Sequence, residues 1–116
     1  LACAVAEAVI DTVNTAEVQA NVTARAAQLR TGLEALNAEL GLFAEVRGMG
    51  LLLGAVLNDH YAGRAGEVVA KAAEAGVIVL QAGPNVVRFA PSLVIGEDDV
   101  SEALGRLGSA LQAFAG

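Results

Sequence analysis

Tryptophan is absent from the sequence and aromatic residues make up only 3% of it, so the apolar volume of a core must come from alanine, valine and leucine. Side chains this small bury less area each than aromatic rings do. A length of 116 residues fits one compact domain and hardly two. We therefore expect one core that packs against something larger.

Cysteine, histidine and lysine each occur once, which excludes several kinds of site. Cys3 alone allows no intrachain disulfide and no cysteine-based zinc site, in agreement with a reducing cytoplasm, and we expect it to be a small buried apolar side chain. His60 lies in a polar loop without the second ligand or nucleophile that a metal site or a catalytic triad needs. Lys71 falls between Glu67 and Glu74 on a helix, which predicts a solvated surface charge rather than a reactive amine.

Basic residues are also few, and the formal net charge is -6. Binding to nucleic acid needs clustered lysine and arginine, so that partner is excluded. No apolar run approaches the roughly 20 residues that span a bilayer, and the start has no basic region of a signal peptide. The sequence thus predicts a cytoplasmic protein that does not enter membranes. It begins without methionine inside an alanine-rich stretch, as we expect of a piece of a longer chain.

The apolar pattern predicts two helices at the start. Residues 1 to about 13 are apolar on nearly every side, which is typical of a helix enclosed by other structure. Thr15 caps a second helix with apolar residues at every third or fourth position, and Gly41 ends it. The later elements are predicted as a strand at 43–47, a tight turn at 48–50, a strand at 51–57, a helix at 63–75, a strand at 77–80, a strand at 86–90 and a helix that opens with Glu97, Asp98 and Asp99.

This order of elements predicts the fold class. Hairpins and short strands interrupted by helices favour an α+β domain with a small three- to four-stranded, mainly antiparallel sheet on which helices pack. No linker or internal repeat divides residues 1–116, so we expect one domain.

Arg88 lies in a short apolar strand, where an uncompensated guanidinium would cost several kcal/mol. Alternation places Val86, Arg88 and Ala90 on one face and Val87 and Phe89 on the other. The arginine therefore rises from a floor of small residues, which leaves room for a ligand carboxylate held by the bidentate guanidinium. A structural salt bridge at the end of the strand explains the same residue, so both interpretations stay open.

Arg47 precedes the predicted turn at 48–50. We interpret it as a turn arginine that pairs with a neighbouring carboxylate. The glycines of this turn do not form a phosphate-binding loop, because no lysine, serine or threonine follows at the required spacing.

Three stretches resemble the acetylornithine and succinylornithine aminotransferases, which are class III enzymes of fold type I that depend on pyridoxal phosphate. They are residues 1–6 (LACAVA), 46–52 (VRGMGLL) and 75–95 (AGVIVLQAGPNVVRFAPSLVI). The last stretch is highly specific. The resemblance covers the whole chain but corresponds only to the last third or so of such an enzyme.

The resemblance implies that residues 1–116 are a C-terminal small domain, joined to a preceding large domain by residues 1–14, in a cytoplasmic homodimer. It implies that Arg88 binds the carboxylate of a small amino-acid substrate, while the intact enzyme moves an amino group from N-acetylornithine or succinylornithine to 2-oxoglutarate. The Schiff-base lysine and most contacts to pyridoxal phosphate would precede Leu1. We therefore expect no catalytic or cofactor-binding residue here, and an isolated chain that is inactive, binds no pyridoxal phosphate, and is marginally stable or self-associating.

Two functions from other classes stay open. Residues 43 onward also resemble a free-standing amino-acid-binding regulatory module, in which Arg88 would bind an effector. The other is a purely structural assembly domain, in which the leucine-rich second helix would mediate pairing. A free-standing module would have to cover the long apolar first helix, and the 75–95 stretch favours the aminotransferase.

Overall fold

The computed structural model describes residues 1–116, which form four helices and one four-stranded sheet. The elements in chain order are α1 (Ala2–Val13), α2 (Ala16–Leu40), β1 (Phe43–Met49), β2 (Leu52–Leu57), α3 (Ala65–Glu74), β3 (Leu80–Gln81), β4 (Val86–Phe89) and α4 (Glu97–Ala115), with a 3₁₀ turn at Asp59–Tyr61. The strands lie in the order β1-β2-β4-β3, and all neighbours are antiparallel. The predicted α+β class with a small antiparallel sheet is confirmed.

Helix α2 begins and ends where its capping residues predict. The Thr15 hydroxyl oxygen accepts a hydrogen bond from the Val18 amide at 3.2 Å, which satisfies one of the free donors of the first turn. At the other end Gly41 takes a left-handed conformation with a φ of 63°, which glycine adopts without steric cost. Leu29 and Leu33 of the predicted apolar stripe are buried.

The hairpin turn begins two residues later and ends one residue later than predicted. Met49 still pairs with Leu52, so the turn consists of Gly50 and Leu51. Gly50 has a φ of 56°, as the first central position of a type II′ turn requires. Gly48 lies inside β1, where a Cβ atom would collide with the backbone of Leu52. Its glycine serves a close approach between strands rather than the turn.

Strand β3 is shorter than predicted and begins at Leu80. The register pairs Leu80 with Arg88 and Gln81 with Val87. Continued along the chain, this register places Val79 opposite Phe89, the last residue of β4, and residues 77–78 beyond the end of β4. Pro91 also removes a backbone donor there. Ile78 consequently leaves the sheet and is 83% exposed.

The core lies between one face of the sheet and three helices. Helices α2 and α3 contact the strands, and α4 packs against both of these helices. The predicted buried stripe of α4 is largely confirmed, since Val100, Leu107, Leu111 and Phe114 are buried and Leu104 is half-buried. The sheet contributes its inner face to the core, with Leu53, Ala55, Leu57, Val87 and Phe89.

Helix α1 and the outer face of the sheet remain open. We define the outer face by Leu52, Gly54, Val86 and Arg88, which alternate with the buried residues of β2 and β4. No residue of α1 is buried, so the prediction that Cys3 is a buried side chain is wrong. The alanine-rich helix has no second layer within these residues to cover it. None of the four helices combines the length and hydropathy that crossing a membrane requires.

Candidate functional site

Arg88 belongs to β4, one of the two inner strands of the sheet, and its side chain lies on the outer face. Strand β4 has β2 on one side and β3 on the other. Its neighbours along the chain, Val87 and Phe89, point into the core, so alternation directs the exposed Arg88 side chain away from it. The face predicted for Arg88 from the sequence is therefore the one that it occupies.

A groove of about 290 Å³ runs across the outer face beside Arg88. Strands β1, β2 and β4 form its floor, and the end of the hairpin bounds it. It is lined by Arg47, Gly48, Met49, Leu52, Leu53, Gly54, Ala82, Val86 and Arg88. The groove thus combines two guanidinium groups with a largely apolar floor, which suits a small anion that also carries methylene groups.

Arg88 is the one basic side chain of the seven that makes no hydrogen bond or ion pair within the chain. Arg30 donates to two backbone carbonyls, and every other basic residue lies within 4.0 Å of a carboxylate. The alternative interpretation of Arg88 was a structural salt bridge, and no carboxylate of residues 1–116 forms one with it. All of its guanidinium donors are available to a ligand.

Arg47 lies across the groove from Arg88. It belongs to β1 rather than to a turn, and it pairs with Gly54, which pairs in turn with Arg88. The predicted carboxylate partner is found, since Arg47 Nη1 lies 3.4 Å from Glu45 Oε1. Both side chains of this ion pair are more than half exposed, so the pair is weak. Two positive charges consequently face the same groove.

The other candidate residues from the sequence lie outside this groove. Lys71 Nζ lies 3.3 Å from Glu74 Oε2 on the surface of α3, as predicted. His60 is exposed and packs edge-on against the Tyr61 ring, with 4.7 Å between ring centroids. No group of three or more histidine, cysteine, aspartate and glutamate side chains is arranged to hold a metal ion. The acidic residues Glu97, Asp98 and Asp99 form the first turn of α4.

Arg64 and Glu67 form a hydrogen-bonded ion pair in which the Arg64 Nη2 to Glu67 Oε2 distance is 2.8 Å. Hydrogen bonding to Arg64 lowers the pKa of Glu67 below its ordinary value, and the same bond raises the pKa of Arg64. The guanidinium also stacks over the Phe114 ring at 4.6 Å from its centroid. These contacts join α3 to α4, so the pair is structural.

Two polar side chains of α2, which the sequence did not reveal, bond to the edge strand β1 and to the loop after β4. Arg30 Nη1 donates to the Val46 carbonyl at 2.8 Å, and Nη2 donates to the Gly48 carbonyl at 2.9 Å. These carbonyls belong to the residues on either side of Arg47 and lie on the free edge of β1. Arg30 covers this edge. Asn21 Nδ2 donates to the carbonyls of Leu93 and Ile95, each at 3.0 Å, and so holds the loop after β4. A polar residue on a helix carries no local signal for such distant partners.

The family model described as Aminotransferase class-III matches residues 1–111. The chain belongs to the class-III aminotransferase family. The match includes both Arg47 and Arg88, and it covers every element except the last residues of α4.

The relatives of this chain include acetylornithine and succinylornithine aminotransferases. Acetylornithine aminotransferase of Vibrio parahaemolyticus is 54% identical over 111 residues, which are 96% of this chain and 28% of the relative. Succinylornithine transaminase of Yersinia enterocolitica is 47% identical over 112 residues, or 97% of this chain and 27% of the relative. The chain therefore spans little more than a quarter of the length of these relatives.

Solved structures show the same relation. The crystal structure of N-acetylornithine aminotransferase from Stenotrophomonas maltophilia matches with a TM-score of 0.92 at 47% identity, over 96% of this chain and 30% of that one. Acetylornithine aminotransferase from Elizabethkingia anophelis matches with a TM-score of 0.88 at 28% identity, over 97% of this chain and 30% of that one. The four helices and antiparallel sheet described above are thus the arrangement of a part of these enzymes.

Proposed function

We propose that residues 1–116 form the C-terminal small domain of an acetylornithine-type aminotransferase, in which Arg88 binds a substrate carboxylate. The observation that carries this proposal is the Arg88 guanidinium, which lies on a groove without a partner in the chain. A guanidinium grips a carboxylate through two parallel hydrogen bonds. The names and identities of the relatives support the same function.

The reaction that we propose for the intact enzyme moves an amino group from N-acetylornithine or succinylornithine to 2-oxoglutarate. In 2-oxoglutarate the carbon that receives the amino group bears a carboxylate, whereas the reacting amine of N-acetylornithine lies at the far end of its chain. Arg88 therefore acts most directly on the 2-oxo acid, by fixing the orientation of the reacting carbon. Its role is binding and orientation rather than proton transfer.

Pyridoxal phosphate, which supplies the electron sink for this chemistry, does not fit the residues of this chain by themselves. Lys71 is the only lysine, and it lies on the surface of α3 in an ion pair with Glu74. A lysine that binds this cofactor needs a desolvated pocket. We therefore propose that the cofactor is bound elsewhere in the enzyme and that residues 1–116 alone are inactive.

The partners that we propose are the large cofactor-binding domain of the same enzyme and, in the cytoplasmic enzyme, a second identical subunit. Helix α1 supports the first partner, because Val5, Val9 and Ile10 are each more than half exposed. An apolar surface of this kind marks a contact with other protein. We propose that α1 and the outer face meet the large domain, which would place Arg88 in the cleft between the two domains.

The experiment that tests this function uses the intact protein and the Arg88→Gln variant, which keeps hydrogen-bond donors but removes the charge. Transamination of N-acetylornithine with 2-oxoglutarate is followed by steady-state kinetics. We expect kcat/KM for 2-oxoglutarate to fall about 10- to 100-fold, as the loss of a charge-assisted hydrogen-bond pair predicts. The matched control is Arg106→Gln, because Arg106 pairs with Glu102 on α4, away from the groove.

An unchanged kcat/KM in Arg88→Gln would remove Arg88 from substrate binding. An intact protein that binds dicarboxylates but transfers no amino group would favour the regulatory module instead.

A further inference from the structure

Arg88 has unlike neighbours on its two sides. The register places Leu80 of β3 on one side and Gly54 of β2 on the other. Residues directly opposite in an antiparallel pair have Cβ atoms about 5 Å apart, so a side chain on either neighbour would lie beside the arginine. On the β3 side, the Leu80 side chain lies beside Arg88. The Gly54 side has no side chain, so the space beside Arg88 opens toward β2 and β1.

The glycine at position 54 is not required by the backbone. Its φ is not among the positive values of the chain, so any residue can adopt its conformation. A glycine within a central strand weakens the strand and commonly marks a site where another group approaches closely. A Cβ atom built on Gly54 would lie 3.1 Å from Val86 Cγ1 and 4.0 Å from Arg47 Cγ. Any larger side chain would therefore extend into the groove between the two arginines.

We propose that Gly54 is a specificity-determining residue. Because it has no side chain, it leaves a space through which a substrate carboxylate reaches Arg88. This inference rests on the proposed function, in which Arg88 binds that carboxylate. A carboxylate with a short methylene chain fits a groove of about 290 Å³. A valine at position 54 would divide the same groove, because its methyl groups would stand between Arg47 and Arg88.

The test measures binding of glutarate to the intact protein by titration calorimetry, with no need for turnover. We expect Gly54→Val to weaken glutarate binding about tenfold or more, as the loss of one guanidinium–carboxylate contact predicts. The matched control is Val56→Ile, which adds a methylene group to the outer face two residues along β2, opposite Glu45 and Val86. We expect this control to stay within about twofold of the original affinity.

A double variant separates blocking of the groove from general damage to the sheet. Val86→Ala in the Gly54→Val background removes the nearest packing contact of the new side chain. We expect the double variant to regain thermal stability but not glutarate affinity. Recovery of affinity together with stability would overturn the inference, as would a folded Gly54→Val variant that binds glutarate normally.

An Arg88→Gln arm distinguishes this inference from the proposed function. Loss of glutarate binding in Arg88→Gln with normal binding in Gly54→Val would overturn the role of Gly54 alone. Normal binding in Arg88→Gln, or no binding by the original protein, would overturn the role of Arg88 and that of Gly54 with it.

Discussion

The inner and outer faces of the sheet differ in what covers them. Leu53 is 1% exposed beneath the helices, whereas its neighbour Leu52 is 58% exposed on the outer face. The two leucines share a strand and an intrinsic preference for it, so only the tertiary environment separates them. The inner face supplies stability, and the outer face is free to supply a binding site. Substitutions matched across the sheet measure this division.

The largest expected effect comes from truncating the inner face. Leu53→Ala removes methyl groups from a closely packed core and leaves a cavity, which we expect to lower the free energy of unfolding by about 2–5 kcal/mol. Leu52→Ala serves as the control, with an expected change below about 1 kcal/mol because its side chain is more than half exposed. Urea unfolding of residues 1–116 measures both, because the large domain proposed above would cover Leu52 in the intact enzyme. Equal losses would show that the outer face is covered as tightly as the inner one.

A smaller effect is expected at the edge of the sheet, where Arg30 bonds to the carbonyls of Val46 and Gly48. Arg30→Met leaves both carbonyls without this donor, and we expect it to cost about 1–3 kcal/mol of unfolding free energy. Faster hydrogen exchange of β1 amides would accompany the loss. Unchanged exchange and stability would mean that water replaces the arginine without penalty.

Arg88→Met is expected to change the unfolding free energy by less than about 0.5 kcal/mol, because the arginine is exposed and has no partner to lose. The contrast with Arg30→Met, measured by the same urea titration, compares a structural arginine with one that we propose binds a ligand. A loss as large as that of Arg30→Met would identify Arg88 as a structural residue.

The smallest effect concerns the surface pair of Arg64 and Glu67. The pKa of Glu67 is lower in the folded protein than its ordinary value of 4.5. Its contribution to stability is therefore complete above pH 4.5 and is lost as the pH falls through the lower folded pKa. We expect Glu67→Gln to be slightly less stable than the original protein at pH 7 and to approach it in stability as the pH falls below 4.5. Glu39→Gln, which removes an exposed carboxylate, is the control for net charge in these thermal melts.

The sequence predicted the helices more accurately than the strands. Helix α2 was predicted at both ends because Thr15 and Gly41 act through bonds within their own turns. The hairpin turn and β3 were misplaced because their positions depend on partner strands. Which of Gly48 and Gly50 forms the turn is decided by the pairing of Met49 with Leu52, and no local pattern contains that register.

The face of the sheet that Arg88 occupies was predicted from the sequence, since alternation along a short strand needs no tertiary information. The need of its guanidinium for an anion was predicted from the apolar strand around it. The absence of a side chain beside Arg88 was not predicted, because Gly54 lies 34 residues earlier in the chain and lies opposite Arg88 only through the pairing of β2 with β4. The supporting bonds from Arg30 and Asn21 were invisible for the same reason. Local bonding and alternation were thus determined by the sequence alone. Strand register, which brings distant residues side by side, was decided only by the tertiary structure.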